Sequence, residues 1–295
     1  MIPAAGPHGG DGPAIARALG LPASAIVDLS MSLNPFAPDV RVLASDRLDA
    51  LREYPDPEHA RDAFACAVGV DPDRILLTNG GAEAIALVAA HLGGTVVAEP
   101  EFSLHPRNGS GPRWRSNPHN PTGLLARPGT RADVWDEAFY PLATGTWTRG
   151  DDGSVVVGSL TKVFACPGLR LGYVLADPPT IAAIAARQNT WAVNSLALAL
   201  VPDLLARADL PDWSRAIAVR RAELASLLES RGYQPLPSDA PWLLVDAPGL
   251  RERLACKGVV VRDCTNFGLA GHVRIAVPGD RDLERLSELL PCRDA

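Results

Sequence analysis

Short β-rich runs alternate with helical stretches along most of this 295-residue chain, and no other feature limits its fold as tightly. Residues 74–78, 95–98, 154–159 and 169–175 read as strands, with a helix over 82–91 between the first two. Strands that alternate with helices pair in parallel, so the pattern predicts an α/β architecture, a mostly parallel sheet covered by helices. From 178 to 230 the texture turns helical, with Leu196, Leu200, Leu204 and Leu205 marking one stripe and Ile217, Leu224, Leu227 and Leu228 another. After Gly232 strand-like and helical patterns resume over 242–245, 250–256, 259–261, 273–277 and 280–289. That tail reads as a smaller α+β unit reached through a long helix over 212–230. The expected division is an N-terminal arm over 1–30 that packs with the small unit, a large unit over 31–230 and the small unit over 231–295.

Composition removes several classes of function. A net charge of −6 gives no basis for nucleic-acid binding, and no basic tract suggests an anionic membrane surface. Five widely spaced cysteines without a Cys-x-x-Cys pair argue against a disulfide framework and against a metal site, and for a reducing compartment. The opening residues lack the basic and apolar regions of a signal peptide, and the apolar run from Ile85 is broken by His91 and Gly93-Gly94. A cytoplasmic location is the expectation.

Of the 28 lysines and arginines only two are lysines, Lys162 and Lys257. A chain that meets nearly every need for positive charge with arginine has kept a primary amine inside Ser159-Leu-Thr-Lys162-Val-Phe-Ala-Cys-Pro-Gly-Leu-Arg170. An amine can lose its proton and attack an aldehyde, whereas a guanidinium stays charged. Alone, Lys162 could equally be a surface cation. Its neighbours Ser159 and Arg170 supply a hydroxyl and a fork of donors suited to a phosphate. Asn79-Gly80-Gly81-Ala82-Glu83 joins a strand to a helix, where free N–H groups and the dipole favour an anion, although a plain turn fits the same residues. Asp136 follows a short strand ending at Trp135 and could pair with a protonated ring nitrogen or simply cap a turn. Asn117-Pro-His-Asn120-Pro-Thr-Gly123 is the least common of these segments.

Taken in order, Tyr54-Pro-Asp-Pro57, Asn117–Gly123, Asp136–Phe139, Ser159–Arg170 and Trp191-Ala-Val-Asn194 resemble fold-type I pyridoxal-phosphate enzymes of the class I/II aminotransferase superfamily. His8-Gly-Gly-Asp11 with Asn34-Pro35 is similar to the branch of L-threonine-O-3-phosphate decarboxylases, followed by histidinol-phosphate aminotransferases. The resemblance runs over nearly the whole chain and implies a three-layer αβα large domain and a small α+β domain. It implies that Lys162 carries pyridoxal 5'-phosphate and moves protons, that Asp136 pairs with the ring nitrogen and that Asn120 meets the ring hydroxyl. Phe102 would stack on the ring, and Ser159, Arg170, Gly81 and Ala82 would hold the phosphate. Tyr54 would reach the phosphate of a neighbouring subunit, making a homodimer, while Arg274 would grip a substrate carboxylate with Asn34 and Asn194 nearby. On the residues alone, Phe102 could be core and Arg274 a surface rung. His8 and His119 read as structural, with His8 able to reach a substrate phosphate if the arm folds over the site. Cys166 reads as a packing residue.

Two departures stand out. The link from Phe102 to Asn117 is shorter than in relatives, which insert a helix and a strand there. Phe139 occupies the place of a common transaminase tyrosine, a feature expected of the decarboxylase branch. The implied activity is therefore decarboxylation of a threonine-phosphate-like amino acid, with transamination of the histidinol-phosphate type or a catalytically idle binding protein as alternatives.

Overall fold

The structure, a computed structural model, describes residues 2–150 and 153–293. Met1, Asp151, Asp152, Asp294 and Ala295, which include the outer ends of the expected arm and small unit, lie outside the described residues.

Among the described residues ten strands form two sheets: β1 Val27–Leu29, β2 Ile75–Asn79, β3 Thr95–Val96, β4 Arg113–Ser116, β5 Val134–Asp136, β6 Val155–Gly158, β7 Leu171–Leu175, β8 Trp242–Asp246, β9 Val259–Asp263 and β10 His272–Ala276. The first sheet runs β2-β7-β6-β5-β4-β3 and the second β1-β9-β10-β8. In the six-stranded sheet β3, β4, β5 and β6 are mutually parallel, and β7 alone runs against its neighbours β6 and β2. The mostly parallel α/β arrangement anticipated from the alternation is what the chain adopts. Its strands are apolar on both faces because helices cover both: β6 and β7 are buried at every position. Helix Gly80–Leu92 packs on one face through Ala84, Ile85 and Val88 with Ile181 and Ile184. Helix Ser195–Leu205 covers the other through Leu200, Val201 and Leu204.

Helix Leu210–Ser230 links the two sheets. Its buried positions Ile217, Leu224 and Leu228 lie on one stripe, and Leu224 and Leu228 enter the core of the second sheet with Leu243, Val245, Val261 and Ile275. The Asn117–Gly123 turn adds a polar joint: the Pro121 carbonyl accepts from the Trp242 indole at 2.9 Å, and the Gly123 carbonyl accepts from the Asp239 and Ala240 amides. The N-terminal residues belong with the second sheet. β1 pairs in parallel with β9, and Ile15 packs against Ala255 and Val260.

One crossover departs from the usual build. β3 and β4 are parallel neighbours, yet residues 97–112 between them contain no helix. The only buried residues in that link are Glu101 and His105, both polar.

Candidate active site

The C-terminal ends of the parallel strands, the mouth of helix Gly80–Leu92 and one face of the second sheet enclose a cavity of about 340 Å³. This is where open α/β sheets expose loops able to hold a ligand. A larger groove, about 660 Å³, runs beside Trp191 and Pro55, but it gathers no lysine, histidine or cysteine and is walled largely by apolar side chains and prolines. Chemistry therefore concentrates in the smaller cavity.

Lys162 sits on the short helix Leu160–Val163, which β6 feeds through Ser159. Leu160, Val163 and Phe164 are fully buried and fix that turn. The Lys162 amine lies 5.7 Å from the centre of the Phe139 ring. Burial, then the nearby charges of Arg274 and Arg170, lower its pKa to about 8, while Asp136 opposes them. Desolvation disfavours the ammonium, so a substantial fraction of neutral amine is present slightly above neutral pH.

Arg170 adopts a left-handed backbone, φ 57°, that returns its side chain to the start of helix Gly80–Leu92. Gly80 has φ 77°, and a β-carbon there would come within 2.5 Å of the Arg170 guanidinium. A cation thus rests on the positive end of a helix dipole, with no carboxylate bonded to it among the described residues. Two like-signed features placed together form a receptor for an anion. Gly81, Ala82 and Ser159 line the same corner of the cavity.

Asp136 ends β5. One oxygen accepts from the Ala138 amide at 3.0 Å; the other meets the Nε2 of His105 at 3.0 Å. The Asn120 side-chain oxygen accepts from Arg274 at 2.7 Å, while its NH₂ group has no hydrogen-bond partner among the described residues. Arg274, on β10, is buried with its guanidinium 4.5 Å from the Trp242 ring, and burial lowers its pKa to about 10. Phe102 also lines the cavity and meets the His105 ring edge-on at 5.6 Å.

Lys162, Asp136, Asn120, Ser159, Arg170, Gly81, Ala82, Phe102 and Arg274 therefore converge on one cavity. Three expected residues lie outside its lining. Asn34 donates to the Val163 carbonyl at 2.9 Å and accepts from the Phe36 amide, so it braces the lysine turn from behind. Asn194 caps helix Ser195–Leu205 by accepting from the Ala197 amide and donates to the Leu169 carbonyl. In both cases an asparagine beside a helix end satisfies backbone groups that would otherwise lack partners. Tyr54 is 75% exposed and stacks on Trp191, centroids 4.3 Å apart, outside its own chain's cavity. His119 has both ring nitrogens occupied, by Thr122 and the Pro100 carbonyl. Cys166 is buried, which pushes its thiol up to about 12.

Sequence reasoning missed Arg262 and His105. Arg262 lies opposite Arg274 in the β9–β10 register, is 4% exposed and lines the cavity. Its donors reach the Gly6 and Pro7 carbonyls and Asn266. An arginine directly after the run Val259-Val260-Val261 was the available signal. His105 falls in an aperiodic, proline- and glycine-bearing link and had none.

Similarity to known proteins agrees with this geometry. The family model for aminotransferase class I and II matches residues 114–290. The chain is 30% identical to the threonine-phosphate decarboxylase of Salmonella typhimurium over 95% of its own length and 94% of the relative's. It is 26% identical to histidinol-phosphate aminotransferase 1 of Dechloromonas aromatica over 94% and 92% of the two chains. Those alignments run over 347 and 336 positions, more than the chain's own 295, so the relatives carry segments it lacks. The histidinol-phosphate aminotransferase from Sinorhizobium meliloti, solved in complex with pyridoxal-5'-phosphate, superposes with a TM-score of 0.78 at 21% identity, covering 99% of this chain and 95% of that one. The protein belongs to the class I and II aminotransferase family and is a pyridoxal-phosphate-dependent enzyme.

Proposed function

We propose that the protein acts at the α-carbon of an amino acid bearing a second anionic group, as a decarboxylase of the threonine-phosphate type. The observation that carries this reading is the pair Arg262 and Arg274. Two buried guanidiniums stand opposite each other at one cavity, and neither forms an ion pair with a carboxylate among the described residues. A buried charge without a counter-charge is costly, and a substrate with two anionic groups would offset both. His8 and Gly9, brought to the cavity by the arm, fit the same ligand. Burial and then the charge of Arg262 lower the His8 pKa.

When bound, pyridoxal phosphate supplies an electron sink for charge developing at the substrate's α-carbon. In this reading the chain's residues bind and orient. Arg170, Ser159 and the amides of Gly81 and Ala82 would hold the phosphate, Asp136 the ring nitrogen and Asn120 the ring hydroxyl, with Phe102 beside the ring. Lys162 would carry the cofactor and move the proton at the α-carbon. Arg274 would fix the substrate carboxylate, and Arg262 with His8 would set the substrate's orientation. Phe139 forms a cavity wall with no hydroxyl to donate beside the amine, in keeping with a decarboxylase-like site. The large unit over 31–230 would carry the cofactor, and the arm over 1–30 with the small unit over 231–295 would carry the substrate anions. A homodimer would let the exposed Tyr54 reach the partner's phosphate site.

Transamination of the histidinol-phosphate type is the second reading, favoured by the similarity to the Dechloromonas relative. The test is to incubate purified holoenzyme with O-phosphothreonine and assay carbon dioxide and consumption of a 2-oxo acid. Carbon dioxide without acceptor consumption supports decarboxylation; acceptor consumption without carbon dioxide overturns it in favour of transamination.

A further inference from the structure

The link between β3 and β4 has neither a helix nor a buried apolar side chain to hold it, yet it brings Phe102 and Leu104 to the cavity wall and sets His105 against Asp136. What holds it is a pair of polar side chains, Arg107 and Glu101. The Arg107 guanidinium donates to the Glu99 carboxylate at 2.6 Å and to the carbonyls of His105 at 2.8 Å, Glu101 at 3.0 Å, Ser103 at 3.2 Å and Phe102 at 3.3 Å. Only a planar fork with five N–H donors can gather so many acceptors, and an ammonium cannot span them. From below, Glu101 anchors the same loop: its carboxylate accepts from the Ser116 amide at 3.0 Å, from the Ser116 hydroxyl and from the Phe102 amide. His105 is then enclosed with its Nε2 on Asp136, while its Nδ1 has no hydrogen-bond partner among the described residues and stands 3.8 Å from Glu101. The ring is steered by its backbone on one side and by Asp136 on the other.

We propose that Arg107 is a positioning residue for the reaction: it fixes the backbone of the shortened 97–112 link so that His105 holds Asp136 in the orientation the cofactor nitrogen needs. The proposal rests on the cavity being the cofactor site. Arg107 lies outside the lining of the cavity. Its influence passes through the His105 carbonyl, 2.8 Å away, and ends at the carboxylate 3.0 Å from the imidazole. The side chain is 37% exposed, so its removal should leave the fold standing while the loop relaxes.

The experiment titrates apoprotein with pyridoxal phosphate and follows the visible band of the bound cofactor. Wild type, Arg107→Ala, Arg107→Lys, His105→Gln, the Arg107→Ala/His105→Gln double variant and the surface control Arg285→Ala are compared, with the thermal midpoint of each apoprotein recorded. Arg107→Ala should weaken cofactor binding about tenfold, or about 1.4 kcal/mol. The pH midpoint of the visible band should also move by about half a unit or more, in the same direction as in His105→Gln. Arg107→Lys should fail to restore either value, and the double variant should be no worse than His105→Gln alone. A lowered thermal midpoint with wild-type affinity and wild-type pH midpoint would reduce Arg107 to a structural role and overturn the proposal. So would full rescue by lysine, or strictly additive effects in the double variant. If wild type itself takes up no pyridoxal phosphate, the cofactor site is misassigned; if wild type binds and Arg107→Ala matches it, only this inference fails.

Discussion

Two loops at the same edge of the six-stranded sheet deliver groups to the cavity, and they are held by opposite means. The turn after β6 that carries Lys162 is anchored by apolar side chains: Leu160, Val163, Phe164 and Cys166 are each no more than 2% exposed. The link before β4 that carries Phe102 and His105 is anchored by a buried carboxylate and a surface guanidinium. Apolar burial is non-directional and tolerates small shifts, whereas a hydrogen-bonded loop holds its geometry only while every partner is present. The two loops should therefore fail differently. The lysine turn should lose stability gradually with volume, and the polar link should lose site geometry with single donors or acceptors.

The sharpest break comes from Lys162→Met. Cofactor linkage should be lost, and kcat for any reaction at the α-carbon should fall by about a thousandfold or more, measured on purified variant reconstituted with pyridoxal phosphate. The same variant should gain stability as apoprotein. The Lys162 pKa is depressed from 10.5 to about 8, so in the acid range the folded state must hold a disfavoured ammonium. The unfolded chain binds more protons between those two values, so wild-type stability rises with pH across that window. Methionine should thus be more stable than wild type at pH 7 by up to about 3 kcal/mol, discounted for residual solvent contact, with the advantage fading between pH 8 and 10.5. Urea denaturation of the two apoproteins across that range checks both the sign and the window.

Removing anchors tests the contrast itself. Leu160→Ala should cost about 2–5 kcal/mol of stability by leaving a cavity, while cofactor affinity, measured in the fraction that remains folded, changes little. Glu101→Ala should cost about 3 kcal/mol by leaving the Phe102 amide and both Ser116 donors without their acceptor, and should also weaken cofactor binding. If both variants lost affinity in proportion to stability, the two loops would not differ in kind. Arg274→Met is expected to lower kcat/KM by about 10–100-fold, the worth of one charge-assisted bond. It should also raise the Lys162 pKa, because the Arg274 charge helps depress it; the pH profile of cofactor linkage reports that shift. The smallest effect belongs to Trp191→Ala. Its ring is 57% exposed and stacked on Tyr54, so monomer stability should move by less than about 1 kcal/mol. Sedimentation should nevertheless show a weakened homodimer if Tyr54 reaches the partner.

How much could be read from the chain follows the same division. The parallel sheet, the long helix and the lysine turn announce themselves because glycines and apolar runs repeat at the spacing of the elements they form. Lys162, Asp136 and Arg170 could be picked out because each sits at or beside the end of such an element, whereas Arg274 lies in the middle of β10 and was reached through the resemblance. Asn34 and Asn194 were read toward the substrate, but both spend their amides on helix-end backbone, a use that only the fold reveals. Arg262 was hidden by its place at the edge of a valine run whose strand continues one residue further than Arg262, to Asp263. His105 and Arg107 were out of reach because a polar loop has no periodicity. Its order comes from hydrogen bonds between specific atoms, and nothing in residue spacing encodes them.

Lys162 is the proposed cofactor lysine, and a chain with two lysines permits a clean measurement. Apoprotein is mixed with pyridoxal phosphate, the carbon–nitrogen link is reduced with borohydride, and the digest is mapped by mass spectrometry. The account predicts the pyridoxyl mass on the peptide containing Lys162 and none on the one containing Lys257. Label on Lys257 alone, or on neither lysine, would contradict it.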